Sequence, residues 1–423
     1  MEEVPQHIQT EISSLRLAVE ELSLLNEIVV AISLLTDVAA ITDLIVSKCT
    51  KKVKAEQGCV LLISDDDASP FKTFVRKIDR PSQHIPIHVS TNLMGWMMKN
   101  EKPLVINDLS SDARFPNLAA RGEFKSLLMV PLKNKTKLIG LFCLFNKEGE
   151  FNPGDQRLLS IIAFQSAQII ENARLAGKEK ELQEMEKDLM VAREIQINLL
   201  PKVMPEVSGF DIYGASIPSK QVGGDYFDFI KLPNEHLGVV IGDVSGKGTP
   251  AAFLMANLQA TIRSQALSSG EPKVLVKNSN SLLNQSMEQG KFVTLVYGRL
   301  NPSDKSFSYV NAGHNSPYLF SNGRVEELKA GGLILGVMPG VEYQQGSVSL
   351  KPKDLLVLFT DGVTEANNET DAFFEDERLL QVIKSDLTLT SKQLAEKIIE
   401  EVRHFQGMQS QSDDITLVVI RAI

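Results

Sequence analysis

From Ile8 to Val29 the apolar residues Ile8, Ile12, Leu15, Val19, Leu22 and Val29 recur at alternating four- and three-residue steps, broken only by Asn26 at a core slot. The spacing predicts an amphipathic helix within residues 1–30 that needs a partner. A second helix is expected from about Ser33 to Lys51, then strands at Gly58 to Ile63 and Phe71 to Ile78. Two apolar runs, Ser126 to Leu132 and Leu138 to Phe145, flank polar Lys133 to Lys137 and precede an apolar helix from Gln156 to Leu175. A hairpin packed under a helix is the simplest arrangement. In residues 172–200, Leu175, Leu182 and Leu189 repeat every seven residues, and Met185, Ala192 and Leu199 form a companion seam. This predicts a two-stranded coiled coil, with a lone amphipathic helix as the alternative. Pro201 and Pro205 end it, because proline cannot continue the helical hydrogen-bond ladder.

The remaining half has a different pattern. Leu237 to Ile241 runs into Gly242-Asp243, Leu355 to Thr360 runs into Asp361-Gly362, and Ile415 to Ile420 follows Asp413-Asp414. Each reads as a buried strand with an acid at its tip, and a fourth acid, Asp225, follows the pliant pair Gly223-Gly224. Taken singly, Asp after a strand is an ordinary turn residue. If the tips converge, four carboxylates share one cleft, and like charges at that range demand hard divalent cations. Helices are expected at Ala251 to Ala266, with Thr249 as N-cap and Pro250 at the first helical position, and at Ser391 to Phe405.

Length and charge narrow the classes. A chain of 423 residues suits two domains plus connecting helices. The net charge of −9 removes a global attraction to nucleic acid or to anionic lipid. Cys49, Cys59 and Cys143 match neither a zinc site nor a redox pair and read as reduced, mostly buried thiols. Glu2 and Glu3 stand where a signal peptide needs positive charge, and no apolar run reaches membrane-spanning length, so a cytoplasmic protein is expected.

Gly95-Trp96, Pro103-Leu104, Asn107-Asp108 and Val130-Pro131-Leu132, in that element order, resemble the GAF family of sensor domains over residues 21–175. Asn146-Lys147, Phe151 and Asp155 match part of a cyclic-nucleotide GAF motif, but Gln156 replaces its glutamate. The resemblance leaves the signal open: a small molecule, a protein, or an empty pocket. Over residues 201–423, five segments resemble the PPM phosphatases of the SpoIIE/RsbU type: Val222 to Asp228, Gly242 to Gly248, Asn311 to His314, Thr360 to Glu365, and Ser412 to Thr416.

The resemblances imply an α+β chain. A GAF domain with an antiparallel sheet and helices is joined by a coiled-coil helix to an α-β-β-α sandwich phosphatase domain. The second resemblance implies that Asp225, Asp243, Asp361 and Asp413 carry catalysis by ligating two Mn²⁺ or Mg²⁺ ions, with the main-chain carbonyl of Val244 completing the shell. Asp228 and Asp414 are secondary candidates, expected to orient ligands or cap structure. Ser245 stands where eukaryotic members carry a histidine, and Lys220 stands where they carry a phosphate-binding arginine, so phosphate attraction is expected without the bidentate fork. His314 is a secondary candidate for proton transfer or for a purely structural turn.

The implied substrate is a phosphoserine or phosphothreonine on a STAS-domain anti-anti-sigma protein, and the helical segments predict that this chain forms a homodimer. Rival readings are a catalytically silent scaffold of the same fold and, through Gly223 to Phe227, a diguanylate cyclase, where Tyr226 replaces the needed glutamate. Gly242 to Thr249 lacks phosphate-loop spacing.

Overall fold

The computed structural model describes residues 37–63, 71–77, 91–115, 124–135, 137–268 and 270–423, with scattered positions before residue 37. The helix expected within residues 1–30 lies largely outside the described residues; of those described there, Leu15, Val19 and Leu22 are exposed and Ile28 is buried. The chain divides into two compact units, Met1–Glu184 and Met185–Ile423. Among the described residues no helix is long and apolar enough to cross a membrane.

The first unit is built on one five-stranded antiparallel sheet, formed by β1 (Ala55–Ile63), β2 (Phe71–Lys77), β3 (Leu104–Ile106), β4 (Leu127–Asn134) and β5 (Lys137–Lys147), in the order β2-β1-β5-β4-β3. Period-two alternation gives the sheet two apolar faces. Val60, Phe142 and Leu144 pack with α1 (Val38–Val53) and with Leu159, Ile162 and Ala163 of α3 (Pro153–Leu199). Cys59, Leu141, Cys143 and Phe145 pack on the other side with Leu93 and Met97 of α2 (Thr91–Asn100). Cys59 and Cys143 are register partners across β1 and β5; all three cysteines are free and buried.

The apolar helix and the seven-residue repeat predicted separately in sequence form one uninterrupted 47-residue helix, α3. The junction contains neither proline nor two adjacent glycines, so nothing breaks the ladder, and Gly177 is accommodated within it. Leu175, Leu182 and Met185 of the repeat are exposed on α3.

In the second unit two sheets, antiparallel except for one short pair, stack face to face. One holds β7 (Tyr226–Lys231), β8 (Leu237–Val244), β9 (Val293–Asn301), β10 (Ser306–Ala312) and, parallel to β10, β13 (Gly331–Gly332), with β14 (Gly346–Ser349) also on β10. The other holds β6 (Phe210–Ile217), β11 (Tyr318–Ser321), β12 (Arg324–Glu327), β15 (Leu355–Phe359) and β16 (Ile415–Ala422). Phe227, Val239, Ile241 and Val296 of the first meet Ile212, Leu356, Leu358, Val418 and Ile420 of the second in a shared core.

Outward-facing Val240, Leu295 and Tyr297 are covered by Met255, Leu258 and Ile262 of α4 (Thr249–Ser268) and Leu275 of α5 (Pro272–Ser286). On the opposite side Val357, Phe359 and Val419 are covered by Leu379 of α7 (Glu375–Ser385) and Leu394, Ile398 and Val402 of α8 (Ser391–Gln406). Helix α8 starts with a reciprocal capping box between Thr390 and Gln393. The layers are α-β-β-α, as expected from the sequence.

Candidate active site

Antiparallel pairing decides where the acids go. Asp225 precedes β7 and Asp243 lies near the end of β8; these strands pair with Tyr226 opposite Gly242, which puts both acids at one end of their sheet. In the facing sheet β15 leads through Thr360 into the one-turn helix α6 (Asp361–Thr364), and Asp413-Asp414 immediately precede β16. The register Phe359 with Leu417 brings those ends together as well. Cross-sheet bonds join the two groups: the Thr360 hydroxyl donates to Asp225 Oδ2 (2.8 Å), and Gly224 N donates to Asp414 Oδ2 (2.7 Å).

The convergence shows in the acid strengths. Burial, then the charges of Asp243 and Asp414, holds Asp225 well above the usual carboxylate range, although the Thr360 hydroxyl bond pulls the other way. Asp243 is pushed up to about 7 by burial and then by Asp361, Asp413 and Asp414. Asp361 is pushed up to about 6 by burial, Asp413 and Glu365. A set of acids that resist ionisation beside one another is what a divalent cation relieves, and carboxylate oxygen is the donor that Mg²⁺ and Mn²⁺ favour. The Val244 carbonyl faces the same place: a side-chain carbon on Gly224 would lie 2.9 Å from Val244 O and 3.4 Å from Asp243 Oδ1. Glycine at 224 permits that close approach.

Among the described residues no three Asp, Glu, His or Cys side chains already stand at closed coordination spacing. Asp413 in particular already has a cationic partner. Its Oδ2 lies 2.7 Å from Lys247 Nζ, its Oδ1 accepts from Asp414 N (2.9 Å), and Lys247 also donates to Ser412 O (2.8 Å). The bond to Asp413 raises the Lys247 pKa and keeps the ammonium charged. Lys247 is thus a tethered counter-ion within the acid cluster.

The secondary candidates separate clearly. Asp414 is a buried hub: Oδ1 accepts from Ser219 N (2.7 Å) and Ser219 Oγ (3.0 Å), and Oδ2 accepts from Gly224 N and Asp225 N (3.3 Å). It shapes the loop that carries Asp225. Asp228 is fully buried and already partnered by Arg263 (2.6 and 3.0 Å), Tyr226 OH (2.7 Å) and Phe229 N (2.8 Å). It ties β7 to α4.

His314 is buried in its turn. Asn311 brackets its main chain (2.8 and 3.0 Å), Thr294 Oγ1 lies 2.8 Å from its Nδ1, and burial lowers its pKa to about 4. Burial disfavours its charged form, and its main chain is held within the turn. Lys220 is exposed. Ser245 pairs with Phe292, its Oγ accepting from Phe292 N (2.9 Å).

In the first unit, Lys147 forms an ion pair with Asp155, and Asn146 bridges Lys125 N (2.8 Å) and Glu56 (2.8 Å). A polar cavity of about 780 Å³ lies beside Lys51, Lys125, Asn146 and Lys147.

Arg263 and Gln196 were not singled out from sequence. Each occupies a helix position indistinguishable from a solvated one until its partner is known. For Arg263 the available signal was a buried acid, Asp228, in need of a cation.

Two stacked sheets between helical layers, with acids gathered at one end, define a PP2C-type fold. The SiaA PP2C domain of Pseudomonas aeruginosa superposes with a TM-score of 0.51 at 22% identity, covering 58% of this chain and 98% of that domain. The family model "Stage II sporulation protein E (SpoIIE)" matches residues 233–423, and a GAF domain model matches residues 36–171. Phosphoserine phosphatase RsbU of Bacillus subtilis (strain 168) is 32% identical over 241 residues, which is 56% of this chain and 71% of RsbU. Phosphoserine phosphatase RsbP of the same organism is 26% identical over 242 residues, 55% of this chain and 57% of RsbP. The chain belongs to the SpoIIE/RsbU family of protein serine/threonine phosphatases, with a GAF-family domain before the phosphatase domain.

Proposed function

We propose that this phosphatase is metal-dependent, that Asp225, Asp243, Asp361, Asp413 and the Val244 carbonyl hold two Mn²⁺ or Mg²⁺ ions, and that its substrate is a phosphoserine or phosphothreonine on a STAS-domain protein in the cytoplasm. The observation that carries the reading is the meeting of four aspartates from four strand ends, three of them with raised pKa values. When bound, such an ion pair neutralises phosphoryl charge and makes water nucleophilic at neutral pH.

The chain's own groups prepare for that. Thr360 donates to Asp225 Oδ2 and holds that oxygen in place. A bound cation would compete with protons at Asp243 and Asp361, and Lys247 balances the charge of Asp413. Exposed Lys220 offers a point charge to an incoming phosphate.

Regulation is assigned to the GAF-family domain, acting through residues 172–200 of α3 and a homodimer paired along its exposed Leu175, Leu182 and Met185. A signal that changes this pairing would move the elements bearing Asp225 or Asp361. The test is phosphate release from candidate phosphorylated STAS proteins of the same genome, with and without Mn²⁺. Metal-dependent release is expected. Folded protein that releases none from any phosphoprotein would favour a silent scaffold.

A further inference from the structure

The last turn of α3, which belongs to the second unit, is fastened to the rest of that unit by two glutamines. Gln259 on α4 donates to Leu199 O (2.8 Å), satisfying a carbonyl that a helix end leaves without an intrahelical partner. Gln196, only 8% exposed, donates through Nε2 to Gly223 O (2.6 Å) and accepts from Gly223 N (3.0 Å) on Oε1. A primary amide matches a peptide group donor to acceptor, so one side chain takes both main-chain polar groups of Gly223.

Asp414 grips the same loop from the other side. It accepts from Gly224 N and Asp225 N, and a side-chain carbon on Gly223 would fall 2.1 Å from its Oδ2. The Gly223 peptide is therefore clasped between a helix and a carboxylate, two residues before Asp225.

We infer that Gln196 is a positioning residue for the acid cluster: its amide sets the main chain that carries Asp225 and thereby the stance of that carboxylate toward Asp243. The inference rests on the cation-binding reading above. It also assigns a contact through which α3 bears on the site. Ile195 and Ile197, on either side, are 59% and 49% exposed, so Gln196 faces inward between two outward residues. Successive residues point about 100° apart around a helix, so rotation of α3 about its axis by one residue withdraws the amide and releases Gly223.

The test uses the full chain, with Q196L, which removes both bonds, and Q196E, which keeps the acceptor for Gly223 N but loses the donor to Gly223 O. Mn²⁺ affinity is read from the spectroscopic signal of free Mn²⁺, and turnover of p-nitrophenyl phosphate is followed against Mn²⁺ concentration. Loss of two buried hydrogen bonds predicts Mn²⁺ half-saturation weakened about tenfold in Q196L, with turnover at saturating Mn²⁺ within about twofold of wild type. Q196E falls between.

A merely anchoring glutamine predicts a lower melting temperature with unchanged Mn²⁺ affinity, and that result overturns the inference. Should Q196L fail to fold, Q196E decides: affinity equal to wild type overturns it. Wild-type protein that binds no Mn²⁺ removes the functional reading and this role together. Normal wild-type binding with unaltered variants removes this role alone.

Discussion

Asp225 and Asp228 are three residues apart at the start of one strand, and both are withdrawn from solvent. Asp228 meets a guanidinium, a phenol and a peptide N–H, enough donors to satisfy its charge. The Asp225 carboxylate accepts from the Thr360 hydroxyl, meets no cationic side chain, and faces the charges of Asp243 and Asp414. The difference shows that burial of a carboxylate is not itself a mark of chemistry; what matters is whether the fold supplies its counter-charge or leaves that to something from outside.

The sharpest break between the two neighbourhoods comes from removing a charge in each. Asp243→Asn is expected to lower turnover by more than about a hundredfold, beyond the loss seen when a residue merely orients a ligand. The substitution should leave the circular dichroism spectrum intact, since it relieves repulsion. Retained turnover would be incompatible with the assignment. Arg263→Ala strands the Asp228 charge and should destabilise the protein by about 3 kcal/mol in urea unfolding, while the folded fraction keeps its Mn²⁺ affinity.

A third measurement uses pH. Asp243 and Asp361 hold protons in the folded protein up to about 7 and about 6, against 3.8 for ordinary aspartate. Through that window the native state binds more protons than the unfolded state, so stability falls as pH rises. The melting temperature of metal-free protein should therefore drop between about pH 4 and pH 7, the Asp243→Asn variant should show a shallower drop, and saturating Mn²⁺ should flatten it. A melting temperature that climbs across this range would contradict the acid cluster. The smallest effect is expected from Lys247→Met. The Lys247 side chain is 47% exposed, so freeing Asp413 of it should tighten Mn²⁺ binding only severalfold, as a screened pair of about 1 kcal/mol allows.

The strand tips and their acids were legible because a buried strand running into Asp is a local pattern, and the α-β-β-α layering was implied by the family resemblance, with apolar helices at Ala251 to Ala266 and Ser391 to Phe405 consistent with it. The roles of adjacent acids were not separable in the same way. Asp413 and Asp414 are neighbours with identical side chains, and only the loop from Ser219 to Asp225 determines that Asp414 spends itself on N–H groups. Asp228 looked like a member of the same motif as Asp225, yet its partner Arg263 is 35 residues away. Gln196 was hidden for a related reason: a polar residue in a charged heptad stretch predicts a wet surface, and its partner is a main-chain group with no sequence signature. The continuity of α3 was missed because two different periodicities, a buried face and a seven-residue seam, meet there without a break in the backbone.

Asp414 leaves one more mark on the chain. Gly223 abuts its carboxylate, and a carbon added at Gly362 would lie 2.0 Å from its carbonyl oxygen. The loop before β7 and the short helix α6 have thus given up a side chain to the same aspartate. Replacements at these three sites press on one shared spot, so their costs overlap rather than sum, and the trio is free to drift only in concert.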